Sequence, residues 1–306
     1  MAPQRTRCRE PARTAPLLRS AKGAVRDLLL AARLRRADGF MASFPKSGRT
    51  WLRFIVANYL NRLHALELDL DLRSMFGLIP NDVLDPERGV GAYAYRNRPD
   101  VPFLVMTHGG PRRLLLGRRP VLLLLREPKD TLVSYYFHLA RRNRDVAQDL
   151  DAYLRSDEYG TPALCRYCND WALGIERRPG MLLGYERLRA EPDRAVAAVL
   201  DFFGIPVHPG FLEEAIEASS FEAMRRIEVA GGMPGRRYDR SDQESLRVRR
   251  GKIGGYADYL EPEQVAYVDR TCASMLTAKA LAMLRQVAWV PDPEPALQLA
   301  AEAHGD

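Results

Sequence analysis

The chain has 306 residues, of which 46% are hydrophobic and 28% are charged. This balance excludes a chain that is disordered throughout and fits one large domain or two small ones. Its four cysteines exclude a disulfide framework and fit a reducing compartment. No apolar run approaches the roughly 18 residues of a membrane-spanning helix, and the net charge of +7 indicates an anionic partner.

The positive charge is concentrated at the start of the chain. The first 38 residues hold ten basic and three acidic residues, whereas the rest of the chain holds 36 of each and is neutral. Residues 17–36 predict a basic amphipathic helix that could rest weakly on a membrane surface, or a tail that keeps the protein soluble. We therefore predict a basic extension at residues 1–38, a domain at 39–290 and a loose tail at 291–306.

Within the domain, short apolar runs alternate with segments of helical spacing. Strands are predicted at Phe40–Phe44, Phe103–Met106, Val121–Leu125 and Met181–Tyr185. Helices are predicted at Thr50–Leu63, Lys129–Arg142, Pro162–Ile175, Asp193–Phe203, Pro209–Ala218 and Glu261–Leu284. This alternation predicts an α/β fold whose mainly parallel sheet is covered by helices on both faces. The glycine-rich and charged segment Glu228–Leu246 predicts a long exposed loop.

The segment Pro45–Trp51, with the sequence PKSGRTW, lies between the first predicted strand and helix. At such a turn the backbone N–H groups converge on one point, and the helix dipole favours an anion there. Gly48 permits close approach of the backbone, and Lys46 adds a positive charge. Ser47 and Thr50 add hydroxyl donors. The lysine precedes the glycine, so this is not a Walker A loop, but it predicts a phosphate-binding loop.

A second anion site is predicted after the strand Val121–Leu125. The next residue, Arg126, should emerge at the carboxyl edge of the sheet, where open α/β folds bind their ligands. Ser134 follows two turns into the next helix. Arginine can grip a phosphate with two hydrogen bonds, and serine adds a neutral donor.

Together these two segments resemble the sulfotransferases that use 3′-phosphoadenosine 5′-phosphosulfate (PAPS). Pro45–Trp51 resembles that family's 5′-phosphosulfate loop, and Arg126–Asp130 with Ser134–Tyr136 resembles its 3′-phosphate motif. Three weaker matches follow in the family's order: Tyr185-Glu186, Ser219–Met224 and Arg249–Gly254. The resemblance runs from about residue 40 to about residue 285. It implies a three-layer fold like that of the P-loop NTPases, with a central, mainly parallel sheet flanked by helices.

The resemblance implies transfer of a sulfuryl group from PAPS to a hydroxyl or amine acceptor, with 3′-phosphoadenosine 5′-phosphate (PAP) as product and no metal. Lys46 would neutralise the charge that develops on the leaving phosphate oxygen, and Ser134 would join it in the catalytic set. Arg126, Ser134 and Arg249 would hold the 3′-phosphate. The residues expected to bind PAPS are Lys46, Ser47, Gly48, Arg49, Thr50, Trp51, Arg126, Ser134, Tyr185, Ser219, Phe221, Met224, Arg249, Arg250 and Gly251.

His108 is the candidate base for the acceptor hydroxyl. It follows the buried strand Phe103–Met106, so it should also lie at the carboxyl edge, and an imidazole can accept a proton near neutral pH. Met106-Thr107-His108 resembles the family's Lys-Thr-His segment without the lysine. Two further departures are Arg49, where the cytosolic enzymes usually have threonine, and Gly255-Tyr256, where they have Asp-Trp. His138 is a candidate wall of the acceptor pocket.

The acceptor itself is left open. Residues 63–103 match no pattern, so a small hydroxylated metabolite, a glycan and a lipid headgroup all stay as alternatives. We expect no nucleic-acid partner, leave a homodimer open, and expect a cytoplasmic enzyme because no membrane anchor is seen. The pair Cys165 and Cys168 predicts helix packing rather than a metal site.

Two other functions compete with this interpretation. A nucleotide-dependent kinase on a related sheet would need a Walker A loop and an acidic metal ligand after a strand, and neither is found. A basic nucleic-acid-binding protein would depend on residues 1–38, whereas a sulfotransferase domain should work without them.

Overall fold

The computed structural model describes residues 32, 34–82, 94–95, 97–111, 117–142, 149–232, 246, 248 and 251–288. Leu34 and Ala37 are already buried, and the backbone N–H of Asp38 donates to the Phe103 carbonyl at 2.9 Å. Chain packing is therefore established by residue 34, ahead of the first strand.

A parallel sheet forms the centre of the described chain. Its strands are β1 (Gly39–Ser43), β2 (Leu104–Thr107), β3 (Val121–Leu125) and β4 (Gly180–Gly184). They lie in the order β2-β1-β3-β4. Met41 of β1 stands opposite Met106 of β2 on one side and Leu122 of β3 on the other. Because every pairing is parallel, the carboxyl ends of the strands meet at one edge.

Helices connect and cover the strands. They are α1 (Arg49–Leu63), α2 (Met75–Leu78), α3 (Pro128–Arg142), α4 (Leu150–Arg155), α5 (Thr161–Ile175), α6 (Tyr185–Ala190), α7 (Pro192–Phe202), α8 (Pro209–Ala218), α9 (Phe221–Gly231), α10 (Pro262–Met275) and α11 (Ala278–Val287). A single 3₁₀ turn at Gly255–Asp258 precedes α10 in the described chain.

The core divides into two clusters, one on each face of the sheet. Phe40 of β1 and Leu123 of β3 pack on the face that also buries Trp171 of α5. The alternate residues, Met41 and Leu122, pack on the face that carries α1. Successive strand residues point to opposite faces, so a strand that is buried throughout requires cover on both sides. The predicted layered α/β fold is confirmed.

Most predicted elements agree with the structure to within one residue at each end, but the predicted helix Glu261–Leu284 is wrong. The chain forms α10 and α11 instead, since Thr277 breaks the helix and its side chain accepts a hydrogen bond from the Ala280 N–H at 3.3 Å.

The predicted exposed loop Glu228–Leu246 is also partly wrong. Glu228 lies in α9 with its side chain buried, where it accepts the Val248 N–H at 2.9 Å, and Leu246 is buried too. Residues 233–245 lie outside the described part of the chain. The helix α9 was not predicted from the sequence, although Ser220 caps its start by accepting a hydrogen bond from the Ala223 N–H.

The predicted helix packing of the cysteine pair is confirmed. Cys165 and Cys168 are buried on α5, and the Cys165 Sγ lies 3.9 Å from the Cys272 Sγ of α10. Here the thiols act as small apolar side chains between two helices. Among the described helices, none has both the length and the apolar character that crossing a bilayer would take.

Candidate active site

The turn between β1 and α1 brings backbone N–H groups to the carboxyl edge. Gly48 caps α1 with φ at 96°, and Lys46 also has a positive φ of 71°. A Cβ at Gly48 would lie 2.5 Å from Cδ2 of Tyr185, so only glycine lets this ring approach the backbone. The first turn of α1 holds no acidic residue to compete for an anion. The helix N-terminus therefore keeps its electrostatic preference for a negatively charged group.

Arg126 links the turn between β1 and α1, called the phosphate-loop turn below, to a loop near the end of the domain. Its Nη1 donates to the Lys46 carbonyl and its Nη2 to the Lys252 carbonyl, both at 3.3 Å. The guanidinium carbon lies 4.4 Å from the centroid of the Tyr185 ring. Its Nε is buried and has no hydrogen-bond partner among the described residues. The guanidinium thus has donor capacity left for a phosphate.

Asp130 holds the loop that contains Lys252 in place. Its carboxylate accepts the backbone N–H groups of Gly254 and Tyr256, each at 2.9 Å, and lies 3.4 Å from Nη2 of Arg126. Because one side chain accepts both of these charge-assisted hydrogen bonds, it fixes the loop on the first turn of α3. Sequence reasoning gave Asp130 no role, although an acid four residues after a site arginine is a signal that it could have used.

A buried ionic network also holds the first turn of α3. Nζ of Lys129 lies 3.1 Å from Oε1 of Glu127 and 2.6 Å from Oδ1 of Asp269 in α10. Burial alone would lower the pKa of Lys129, but the two carboxylates together raise it above its ordinary value. Burial raises the pKa of Glu127. Glu186 of α6 completes the network, because its Oε1 accepts the Glu127 N–H at 2.9 Å.

Aromatic rings line the edge beside the turn. Trp51 packs edge-on against Tyr185 with ring centroids 6.2 Å apart, and its Nε1 donates to the Ser219 carbonyl at 2.8 Å. The guanidinium of Arg189 lies 5.7 Å from the Trp51 ring and 5.9 Å from the Phe221 ring. Burial raises the pKa of Tyr185, so the phenol stays neutral at physiological pH. Such rings and a planar cation can stack on a purine base.

Gly251 brings the loop that contains Lys252 against the rings of Tyr185 and Phe221. Its carbonyl accepts from the Tyr185 hydroxyl at 3.4 Å and from Nε of Arg189 at 3.3 Å. Its φ is 61°, and an added Cβ would come within 3.2 Å of the Phe221 ring. A glycine here allows the left-handed turn and the close packing together.

His108 follows β2 and is exposed at the same edge. Its Nδ1 lies 2.8 Å from the carbonyl oxygen of Ser43, the last residue of β1. A carbonyl can only accept, so Nδ1 carries the proton of this hydrogen bond. In the neutral ring the lone pair is then on Nε2, which suits a general base.

The structure brings together predicted residues from distant segments. The predicted residues joined by these contacts are Lys46, Gly48, Trp51, Arg126, Tyr185, Ser219, Phe221 and Gly251. The buried Ser47 and the half-buried Arg49 and Thr50 belong to the same turn or to the start of α1, and the buried Met224 lies on α9.

The other predicted residues are less closely tied to this set. Ser134 is half-buried on the second turn of α3, and His138 stacks on Tyr135 one turn later. Arg249 and Arg250 lie outside the described residues. Arg189 was missed, since it stands three residues beyond the Tyr185-Glu186 match and its sequence surroundings give no signal.

Comparison with known proteins gives a consistent result. A family model described as the sulfotransferase domain matches residues 36–282. The chain is 25% identical to flavonol 3-sulfotransferase from Flaveria bidentis over 264 residues, or 80% of this chain and 84% of the relative. It is 26% identical to cytosolic sulfotransferase 17 from Arabidopsis thaliana, covering 77% and 73%.

Solved structures share the fold. Mouse sulfotransferase SULT7A1 complexed with PAP superposes with a TM-score of 0.59 at 16% identity, over 86% of this chain and 96% of that one. Retinol dehydratase in a complex with retinol and PAP superposes with a TM-score of 0.55 at 20% identity, over 78% and 81%. The match of the family model over most of the chain is decisive: the chain belongs to the sulfotransferase family, the enzymes that move a sulfuryl group from PAPS to an acceptor, and is itself an enzyme of that class.

Proposed function

We propose that the carboxyl edge of the sheet is the PAPS site of this sulfotransferase, and that Lys46, Arg126 and His108 carry its chemistry. The observation that supports this most strongly is the position of Arg126. Its guanidinium hydrogen-bonds the carbonyls of Lys46 and Lys252 and packs over Tyr185, so one side chain connects three sequence segments that each resemble a PAPS-binding motif.

The residues of this edge suit an anionic nucleotide. The N-terminus of α1 has no acid in its first turn, and Arg126 has a buried Nε with no partner among the described residues. We assign the backbone N–H groups of Gly48 to Thr50 to the 5′-phosphate, and Arg126 and Ser134 to the 3′-phosphate. Arg249 and Arg250 are assigned there on sequence alone. Trp51, Tyr185 and Phe221 are assigned to the adenine.

The assigned roles divide the reaction between two side chains. Nε2 of His108 accepts the proton of the acceptor hydroxyl as the hydroxyl oxygen bonds to sulfur. Lys46 stabilises the negative charge received by the phosphate oxygen whose bond to sulfur breaks. The backbone at the start of α1 keeps the phosphate in line with the acceptor, so most of the catalysis is positioning and charge stabilisation.

We propose a small, largely apolar acceptor with a hydroxyl group, in preference to a glycan or a lipid headgroup. Next to the phosphate-loop turn, Phe44 packs edge-on against Tyr135 and Tyr167, with ring centroids 5.7 and 5.5 Å apart. Rings of this kind favour an apolar molecule. The flavonol acceptor in one relative's name and the retinol bound in the retinol dehydratase structure are molecules of this sort.

We also propose a cytoplasmic location, which the names of the plant cytosolic sulfotransferases support. The membrane contact of residues 17–36, the homodimer and the domain limits at 38 and 290 stay predictions of the sequence. Residues 1–31 and 289–306 lie outside the described part of the chain.

The experiment is transfer of ³⁵S from labelled PAPS to a panel of flavonols, simple phenols and apolar alcohols, with glycan and lipid fractions beside them. We expect labelled conjugates of small hydroxylated molecules, and binding of PAP measured by calorimetry. Labelling confined to glycans or lipids would overturn the acceptor proposal. Failure to bind PAP would overturn the proposed site.

A further inference from the structure

The segment before residue 83 runs beside β2 at the edge of the described sheet. The Met106 N–H donates to the Pro80 carbonyl, and the Asp82 N–H donates to the Met106 carbonyl, both at 2.9 Å. Asn81 accordingly pairs with Met106 as an isolated parallel bridge. This pairing fixes the register of the segment and places Asp82 next to the end of β2, where His108 begins.

Asp82 connects to both sides of His108 through one hydroxyl group. Oγ1 of Thr107 lies 2.7 Å from Oδ2 of Asp82 and 2.7 Å from the backbone nitrogen of Gly109. A carboxylate can only accept, so the Thr107 hydroxyl gives it its single proton. The same oxygen then accepts from the Gly109 N–H. The order of donors is therefore fixed, and Thr107 is fully buried, which strengthens both bonds.

The turn is also held from its other side. The Gly109 carbonyl accepts from Nε1 of Trp171 at 3.2 Å. The imidazole itself is fixed by Nδ1 against the Ser43 carbonyl. The residues before and after His108 are thus both held by hydrogen bonds to other segments, while His108 itself is exposed.

The phosphate-loop helix holds the segment that carries Asp82. Arg53 of α1 is buried, its Nη2 donates to Oδ1 of Asn81, and its guanidinium lies 4.2 Å from the Phe76 ring. Burying a charged guanidinium costs free energy unless the group is hydrogen-bonded or paired. One helix therefore presents its N-terminus to the PAPS site and also fixes the residue next to Asp82.

We propose that Asp82, acting through the Thr107 hydroxyl, is the positioning residue for His108. This inference rests on the proposed role of His108 as the base. The chain has Met106 where the resembling family has lysine, so the residue before Thr107 supplies no charge to this turn. Asp82 brings a carboxylate, whose charge is opposite to that of a lysine, to this turn from a segment 25 residues earlier along the chain. By fixing the residues on both sides of His108, it holds the imidazole where Nδ1 donates to the Ser43 carbonyl, and so in the tautomer that proton transfer requires.

The test compares Thr107→Val with Thr107→Ser. Valine keeps the shape but removes the hydroxyl, so we expect kcat to fall about 10- to 100-fold. The Kd for PAP should stay within about twofold, because Thr107 lies outside the proposed PAPS site. Serine restores the hydroxyl and should recover most of kcat. Asp82→Asn, whose amide oxygen can still accept, should be milder than Asp82→Leu.

A spectroscopic measurement separates positioning from general damage. The ¹⁵N signals of His108, assigned with His108→Gln, should show the Nδ1–H tautomer in the wild type at about pH 8 and a mixture in Thr107→Val. Wild-type kcat and an unchanged tautomer in Thr107→Val would overturn the inference. If Thr107→Val gave that result and His108→Ala were inactive in the same assay, only the positioning role of Asp82 would be overturned, and His108 would stay the proposed base. Full turnover by His108→Ala would instead overturn both.

Discussion

The ends of β3 and β2 meet at the same edge of the sheet but are held in different ways. After β3, charged side chains brace the chain: Asp130 binds two backbone N–H groups near Arg126, and Lys129 is buried between Glu127 and Asp269. After β2, His108 is held by the carbonyl of Ser43 and by neighbours bonded to one hydroxyl.

The difference fits two tasks. A site for several negative charges needs cations that stay in place, so charged partners on α3, α6 and α10 hold the β3 end. A base needs an accepting nitrogen on the reacting side, so the hydrogen bond to Ser43 is made through the other nitrogen, Nδ1. Changes after β3 should therefore alter binding or stability, and changes after β2 should alter turnover.

The largest effect should come from His108→Ala. Removing the proposed base should lower kcat by about 10²- to 10⁴-fold. The Kd for PAP should change little, because the change is at the β2 end. His208→Ala, at an exposed histidine before α8, is the matched control and should keep wild-type turnover. Steady-state kinetics and calorimetry measure both quantities, and full turnover in His108→Ala would remove this residue as the base.

Next in size should be Arg126→Gln. Loss of charge-assisted hydrogen bonds worth about 1.5–3 kcal/mol should weaken PAP binding roughly 10- to 100-fold. Arg155→Gln changes an exposed arginine that pairs with Asp151, and it should bind PAP like the wild type. An unchanged affinity in Arg126→Gln would place the 3′-phosphate elsewhere and end the contrast between the two strand ends.

Lys129→Met should lower stability more than binding. It leaves Glu127 as a buried carboxylate without its cation, and breaking such a pair costs about 3–5 kcal/mol. Lys279→Met breaks an exposed pair with Glu176 and should cost under about 1 kcal/mol. Urea unfolding measures both free energies. Equal losses of unfolding free energy in the two variants would show that the buried network stabilises the fold no more than an exposed ion pair does.

The Lys129 network also predicts a dependence on pH. The folded pKa of Lys129 lies above its ordinary value of 10.5. Its stabilisation is therefore present below 10.5 and is lost as the pH rises through the folded pKa. Urea unfolding at rising alkaline pH should show this loss in the wild type, and Lys129→Met should lack it.

The smallest effect should come from deleting residues 1–31. The deletion ends before the buried Leu34 and removes seven basic and two acidic residues, all of which lie outside the neutral stretch 39–306. Because salt screens long-range steering at physiological ionic strength, we expect kcat/KM for PAPS to stay within about twofold. Loss of turnover would mean that the extension has a part in the site, as the nucleic-acid-binding alternative requires.

The contrast also explains what the sequence could predict. The residues after β1 and β3 form local motifs, in which Lys46 and Gly48, or Arg126 and Ser134, stand a few positions apart, so their chemistry is visible in one segment. The Asp82–Thr107 bond spans 25 positions, and the Lys129–Asp269 bond spans 140. Such partners become visible only when the fold brings them together.

The same reasoning applies to the fold. The buried strand Val121–Leu125 was predicted at its correct limits because five apolar residues stand between Pro120 and Arg126. The break at Thr277 was missed since a single capping hydroxyl outweighs a helical pattern that continues on both sides.

The most direct test of the proposed site is Lys46→Met, with kcat and the Kd for PAP measured on the same preparation. Methionine, whose unbranched side chain is one atom shorter than that of lysine, removes the ammonium group at this positive-φ position. We predict a fall in kcat of about 10²- to 10³-fold with the Kd for PAP changed less than about threefold. Equal losses in kcat and in PAP affinity would contradict the account, since Lys46 would then serve binding alone.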